Sequence, residues 1–138
     1  MSFPVFAIFF SGSRGISVSE TLIKKNIIPE IAVTPPNSDE FKNKIRSKFK
    51  FNLISPAIDI NEKSFQEYLR SMNIDIFLVA GFPQIFDSNT LQIPKIATIN
   101  LHGGPLPKYR GGSPLNWQII NGENNIGITS LIMDEGID

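Results

Sequence analysis

The sequence predicts an α/β fold in which a mostly parallel sheet carries helices on both faces. Three observations lead there. Continuous apolar runs such as VFAIFF and IFLVAGF recur along the chain, and a strand buried on both faces needs such a run rather than an alternation. Amphipathic stretches separate these runs, and strands that alternate with helices pair in parallel through crossovers. An apolar fraction of 41% in 138 residues suits a single packed domain.

In chain order, VFAIFF (residues 5–10) is the first expected strand. SGSRG (residues 11–15) is expected to turn, with Ser17 or Ser19 capping a helix that runs to Lys25. EIAVT (residues 30–34) gives a second strand, and PPNSD (residues 35–39) breaks the chain. Residues 40–49 follow a helical pattern in which the basic residues of KNKIRSKFK form a solvated face around Ile45 and Phe49. FNLIS suggests a short strand, and residues 61–72 a capped helix with Phe65, Tyr68, Leu69 and Met72 along one side. Further strands are expected at residues 75–82, 96–102 and 126–133, with a helix from about Pro114 to Ile120 between the last two. No repeat, low-complexity tract or linker divides residues 1–138, so one domain is expected.

Acidic and basic residues balance at 13 each, which gives no global field toward nucleic acid or an anionic membrane. No apolar run approaches the roughly 20 residues that span a bilayer, and the start MSFPVFAIFFSGS lacks a basic region and a small-residue cleavage site. A cytoplasmic protein with no membrane partner is expected. The absence of cysteine removes thiolate nucleophiles, disulfides and cysteine-bound zinc, and a single histidine leaves little for a transition metal. No metal site is expected. The SGSRG turn lacks the G-x-G-x-x-G fingerprint, and Asp39 lies beyond the end of the second strand, so a nucleotide cofactor is not expected either.

The chemistry concentrates in NLHGGPLPKYRGGSPLNW, which begins at Asn100. Residues two apart on a strand share a face, so Asn100 and His102 project together where the strand breaks into a loop. Taken alone they read as a buried polar pair that ties the loop down. The Gly- and Pro-rich loop that follows offers exposed amides and suits a binding surface. In MDEGID, one of Asp134, Glu135 or Asp138 is positioned to supply a carboxylate that orients an imidazole. Phe82 and Pro83, at another strand's carboxyl end, either line a flat ligand's pocket or simply pack.

NLH, LPKYRG with SPLNW behind it, NGENNIGIT and MDEGID together resemble the catalytic domain of the formyltransferases that use 10-formyltetrahydrofolate, a group that includes methionyl-tRNA formyltransferase and the sugar-nucleotide N-formyltransferases. The resemblance is strong over residues 96–138 and rests on fold pattern alone before Asp75. It implies a Rossmann-like sheet and a catalytic trio of Asn100, His102 and Asp138. It further implies that the folate donor is gripped by Gln84, Ile85 and Phe86, by Pro105, Leu106, Pro107 and Lys108, and by Asp134, Glu135, Gly136 and Ile137. The implied acceptor is a primary amine of an amino-sugar nucleotide or of methionyl-tRNA. A 10-formyltetrahydrofolate hydrolase and a folate-binding module without turnover are the alternatives. Gly104 and Pro105 stand where the family usually has Ser and Leu, which stiffens the expected loop. Asp138 ends the sequence, so residues 1–138 are expected to be an incomplete catalytic domain with feeble turnover and a sheet edge open to self-association.

Overall fold

FAIFF forms strand β1 (Phe6–Phe10), and every residue of it is buried. Full burial requires cover on both faces and partners on both edges. In the computed structural model, which describes residues 2–36, 39–50, 52–54 and 59–136, β1 pairs in parallel with β2 (Ile31–Val33) on one side and β4 (Ile76–Ala80) on the other. The short β3 (Leu53–Ile54) continues the sheet beyond β2. β5 (Ala97–His102) lies beside β4, and β6 (Thr129–Ile132) closes the far edge antiparallel to β5. The order is therefore β3-β2-β1-β4-β5-β6, the doubly wound arrangement in which chain direction across the sheet reverses between β1 and β4.

The pleat divides the core in two. Phe6, Ile8 and Phe10 of β1, with Ala32 and Ala80, meet Ile45 and Phe49 and the apolar side of helix α1 (Gly12–Lys24) through Ile16, Val18, Leu22 and Ile23. Helix α2 (Asp39–Lys48) supplies Ile45; its Lys48 pairs with Glu20 of α1 at the surface, a link worth little by itself. On the opposite face Ala7, Phe9, Ile31, Val33, Phe77 and Val79 pack against Leu69, Phe65 and Met72 of helix α3 (Lys63–Ser71) and its carboxyl end. Phe9 is the centre of that side, with ring centroids 4.9 Å from Phe77, 5.6 Å from Phe82 and 5.1 Å from Phe86.

Several boundaries differ from expectation for identifiable reasons. α1 begins at Gly12, not after the turn: Ser11 is extended at the cap position and Gly12 takes a φ of +65°, so the strand bends directly into the helix. Ser17 and Ser19 lie inside the helix, where the Ser19 hydroxyl donates to the carbonyl of Gly15. Gly15 faces the sheet so closely that a Cβ there would lie 2.7 Å from Phe10 Cβ. α3 starts after Glu62 rather than at Asn61, and Tyr68 turns outward to stack on Phe65. A four-residue helix α4 (Ser88–Leu91) was not anticipated. Helix α5 (Pro114–Ile120) falls where expected, with Pro at its first position. Among the described residues, no helix is long and apolar enough to cross a membrane.

Candidate active site

Val79 of β4 is in register with Asn100 of β5, so Val79, Asn100 and His102 rise from the same sheet face. They form the floor of a cleft of about 580 Å³ at the carboxyl ends of β4 and β5, within the roughly 300–1,000 Å³ of small-molecule sites. Its walls are residues 81–86 after β4, residues 111–114 at the start of α5, residues 133–136 after β6, and Arg14 from the first turn of α1. The position is the one beside the reversal of winding, where open α/β sheets gather ligands.

His102 is 4% exposed. Its Nε2 lies 2.7 Å from the carbonyl oxygen of Tyr109; that oxygen can only accept, so Nε2 carries the hydrogen. The loop that supplies the carbonyl is pinned from several sides. The Gln118 side-chain amide, fully buried in α5, donates to Gly103 O at 2.7 Å and accepts from the Gly127 N–H at 2.8 Å. Thr129 donates to Gly104 O at 2.7 Å and accepts from the Leu106 N–H at 3.0 Å. Tyr109 adopts a φ of 56°, and its phenol donates to Glu123 Oε1 at 2.6 Å while accepting from Asn121 Nδ2 at 3.2 Å. The hydrogen bond to Glu123 raises the phenol's pKa, which keeps its proton in place.

The loop after β4 is equally held. Gln84 Oε1 accepts from the Ile60 N–H at 2.9 Å, and Asn61, where the expected helix began, instead donates to Ile85 O at 2.8 Å and accepts from the Asp87 N–H at 2.9 Å. Phe86 is buried against Phe9, and Phe82 both packs on these rings and lines the cleft. Asp87 caps α4 by accepting from the Thr90 N–H at 2.7 Å. That hydrogen bond, ahead of those from the Thr90 hydroxyl and Gln66, lowers the carboxyl's pKa. Because the folded value is depressed, the stabilisation is present above the ordinary carboxylate range and is lost as pH falls through the lowered value. Asp87→Ala should cost about 1 kcal/mol at neutral pH, and denaturant unfolding should show this difference shrinking in strong acid.

The structure brings Gln84, Ile85, Phe86, Asn100, His102, Asp134, Glu135 and Gly136 to one cleft. Pro105, Leu106, Pro107 and Lys108 do not line it. Pro105 lies so close to Gly127 that a Cβ there would meet it at 2.7 Å, and Leu106 is anchored to Thr129. Asp134 folds onto its own turn, its Oδ1 accepting from the Gly136 N–H at 2.7 Å. Ile137 and Asp138 lie outside the described residues. Sequence reading missed Arg14, whose guanidinium packs so tightly over Gly103 that a Cβ there would overlap Nη1. The available signal was a cationic residue in the turn after the most apolar strand. Among the described residues, no three metal-ligating side chains cluster.

With this geometry in view, the relatives of the chain are informative. It is 35% identical over 141 aligned residues to a methionyl-tRNA formyltransferase of Agathobacter rectalis, covering 95% of this chain and 46% of that protein. It is 46% identical over 81 residues to the methionyl-tRNA formyltransferase of Clostridioides difficile, covering 59% of this chain and 26% of that one. The chain thus spans less than half the length of either relative. A phosphoribosylglycinamide formyltransferase from Streptococcus pneumoniae superposes with a TM-score of 0.78 at 18% identity, covering 99% of this chain and 77% of that one, which establishes the shared fold. The family model for formyl transferase matches residues 7–138, and the chain belongs to the formyl transferase family.

Proposed function

We propose that residues 1–138 form the catalytic part of an enzyme that transfers the formyl group of 10-formyltetrahydrofolate to a primary amine, with methionyl-tRNA as the acceptor. The observation that carries this reading is the pairing of Asn100 and His102 on the floor of one cleft. The relatives named as methionyl-tRNA formyltransferases support this choice of acceptor. Phe82 and Met133 offer apolar surface to a flat pterin, and residues 84–86 and 134–136 line the cleft beside them.

The neutral amine attacks the formyl carbon, the carbonyl electron pair moves to oxygen, and collapse of the tetrahedral adduct breaks the bond to nitrogen 10 of the folate. The amine gives up one proton and nitrogen 10 gains one. Asn100's amide and a protonated His102 are donors for the oxyanion, and losing one such donor costs roughly 10² to 10³ in rate. His102 carries the proton between the two nitrogens, and Asp138 is the proposed carboxylate partner that favours the imidazolium. No covalent intermediate is needed, in keeping with a chain that has no cysteine.

Calorimetry with 5-formyltetrahydrofolate and with NAD, followed by a transfer assay with methionyl-tRNA, tests the reading. Heat from the folate alone and formation of formyl-methionyl-tRNA are expected. Formate released without an acceptor would replace the transferase with a hydrolase, and failure to bind the folate would sink both.

A further inference from the structure

The carbonyl that meets His102 belongs to a residue whose own conformation is unusual. Tyr109 takes a φ of 56°, a left-handed backbone that bulky side chains rarely adopt and that persists only where surroundings hold it. Two contacts hold it here. Below, Gly104 lets the loop close until a Cβ at that position would lie 2.9 Å from Tyr109 Cβ and 3.0 Å from its carbonyl oxygen. Outside, the phenol is gripped by Glu123 at 2.6 Å and Asn121 at 3.2 Å, both from the turn that ends α5. The side chain is thus anchored at its tip and the main chain at its root, and the carbonyl between them is aimed at Nε2 of His102.

We propose that Tyr109 is a positioning residue for His102: its phenol, clamped by Glu123 and Asn121, holds the Tyr109 carbonyl against Nε2 and so fixes the neutral imidazole in the Nε2–H tautomer. A neutral imidazole has one protonated nitrogen and one lone pair. With the hydrogen committed to the Tyr109 carbonyl, Nδ1 is the atom through which His102 takes up and returns a proton. The inference rests on the catalytic reading of His102 for its consequence and on geometry alone for the tautomer. It also gives the segment between α5 and β6 a task in the site without touching the cleft, since Glu123 and Asn121 are not among the residues that line it.

The sequence contains one histidine, so the chain grown with ¹⁵N-histidine yields a single pair of ring-nitrogen resonances. A pyrrole-like signal at Nε2 and a pyridine-like signal at Nδ1, told apart by their couplings to the ring's carbon-bound protons, are expected for the unmodified chain with a neutral imidazole. Tyr109→Phe, which deletes the phenol oxygen, and Glu123→Ala, which deletes its acceptor, should both move the two signals toward each other as the tautomers mix. Glu123→Gln, whose amide oxygen still accepts from the phenol, should restore the original pair. In the transfer assay the first two variants should lower kcat roughly tenfold with little change in KM for the folate, a size typical of outer partners that orient a functional histidine. Unchanged ring-nitrogen signals in both Tyr109→Phe and Glu123→Ala would overturn the proposal. Signals that merge while turnover stays normal would uphold the clamp and instead remove His102 from the chemistry. Glu123 is exposed, so its variants report even if Tyr109→Phe loosens the loop.

Discussion

His102→Gln should lower formyl transfer by roughly 10² to 10⁴ while shifting the melting temperature by only a few degrees. The glutamine amide keeps a donor near the Tyr109 carbonyl that His102 meets at 2.7 Å, so the loop need not lose its anchor. What it cannot do is gain and release a proton near neutral pH. The two measurements have to be made together. Near-normal turnover would end the catalytic reading of His102, whereas a collapse of the melting transition would make it a structural residue that ties β5 to the loop.

Phe9→Ala should have the largest effect on stability. Phe9 is fully buried and touches the rings of Phe77, Phe82 and Phe86. Deleting such a ring from a core costs about 3–5 kcal/mol, a large part of the roughly 5–15 kcal/mol that holds a domain folded. A fall in Tm of roughly 10–20 °C follows for a chain of this size. Phe9→Leu should fall much less, because most of the volume remains. Folate affinity should weaken in the alanine variant even below its melting point, since Phe82 lines the cleft and would lose the ring it leans on. A Tm within a few degrees of the parent's would show that the neighbouring rings collapse into the space.

The parts of this architecture legible from sequence are those set by local periodicity. The unbroken apolar runs of β1 and β4 could be satisfied only by strands covered on both faces, and the i, i+2 spacing of Asn100 and His102 gave them one face whatever their neighbours. What was hidden depends on contacts far along the chain. Asn61 has the chemistry of a helix cap, but its amide is taken by Ile85 and Asp87, more than 20 residues away. Arg14 enters the cleft because β1 and β5 both flank β4, and no local pattern announces that adjacency. Asp134 has the chemistry of an orienting carboxylate, yet Asp two residues before Gly is equally a turn former, and the turn is where its oxygen is engaged. The direction of β6 is likewise invisible, because an apolar run reads the same in either sense.

The place of β1 in the sheet bears on how the chain must be made. It leaves the ribosome before the other described strands, yet its second edge is covered only by β4, with Phe6 opposite Ile76 and Phe10 opposite Ala80. At about 5–20 residues per second, that partner arrives roughly 4–14 s later. Throughout that interval the most apolar segment of the protein has an open edge of main-chain donors and acceptors, matched in hydrogen-bonding pattern to the same segment of any neighbouring nascent chain. Slower translation between Phe10 and Ile76 lengthens this exposure, so yield in a heterologous host should depend on the codon choice of a segment in which, among the described residues, only Arg14 lines the cleft.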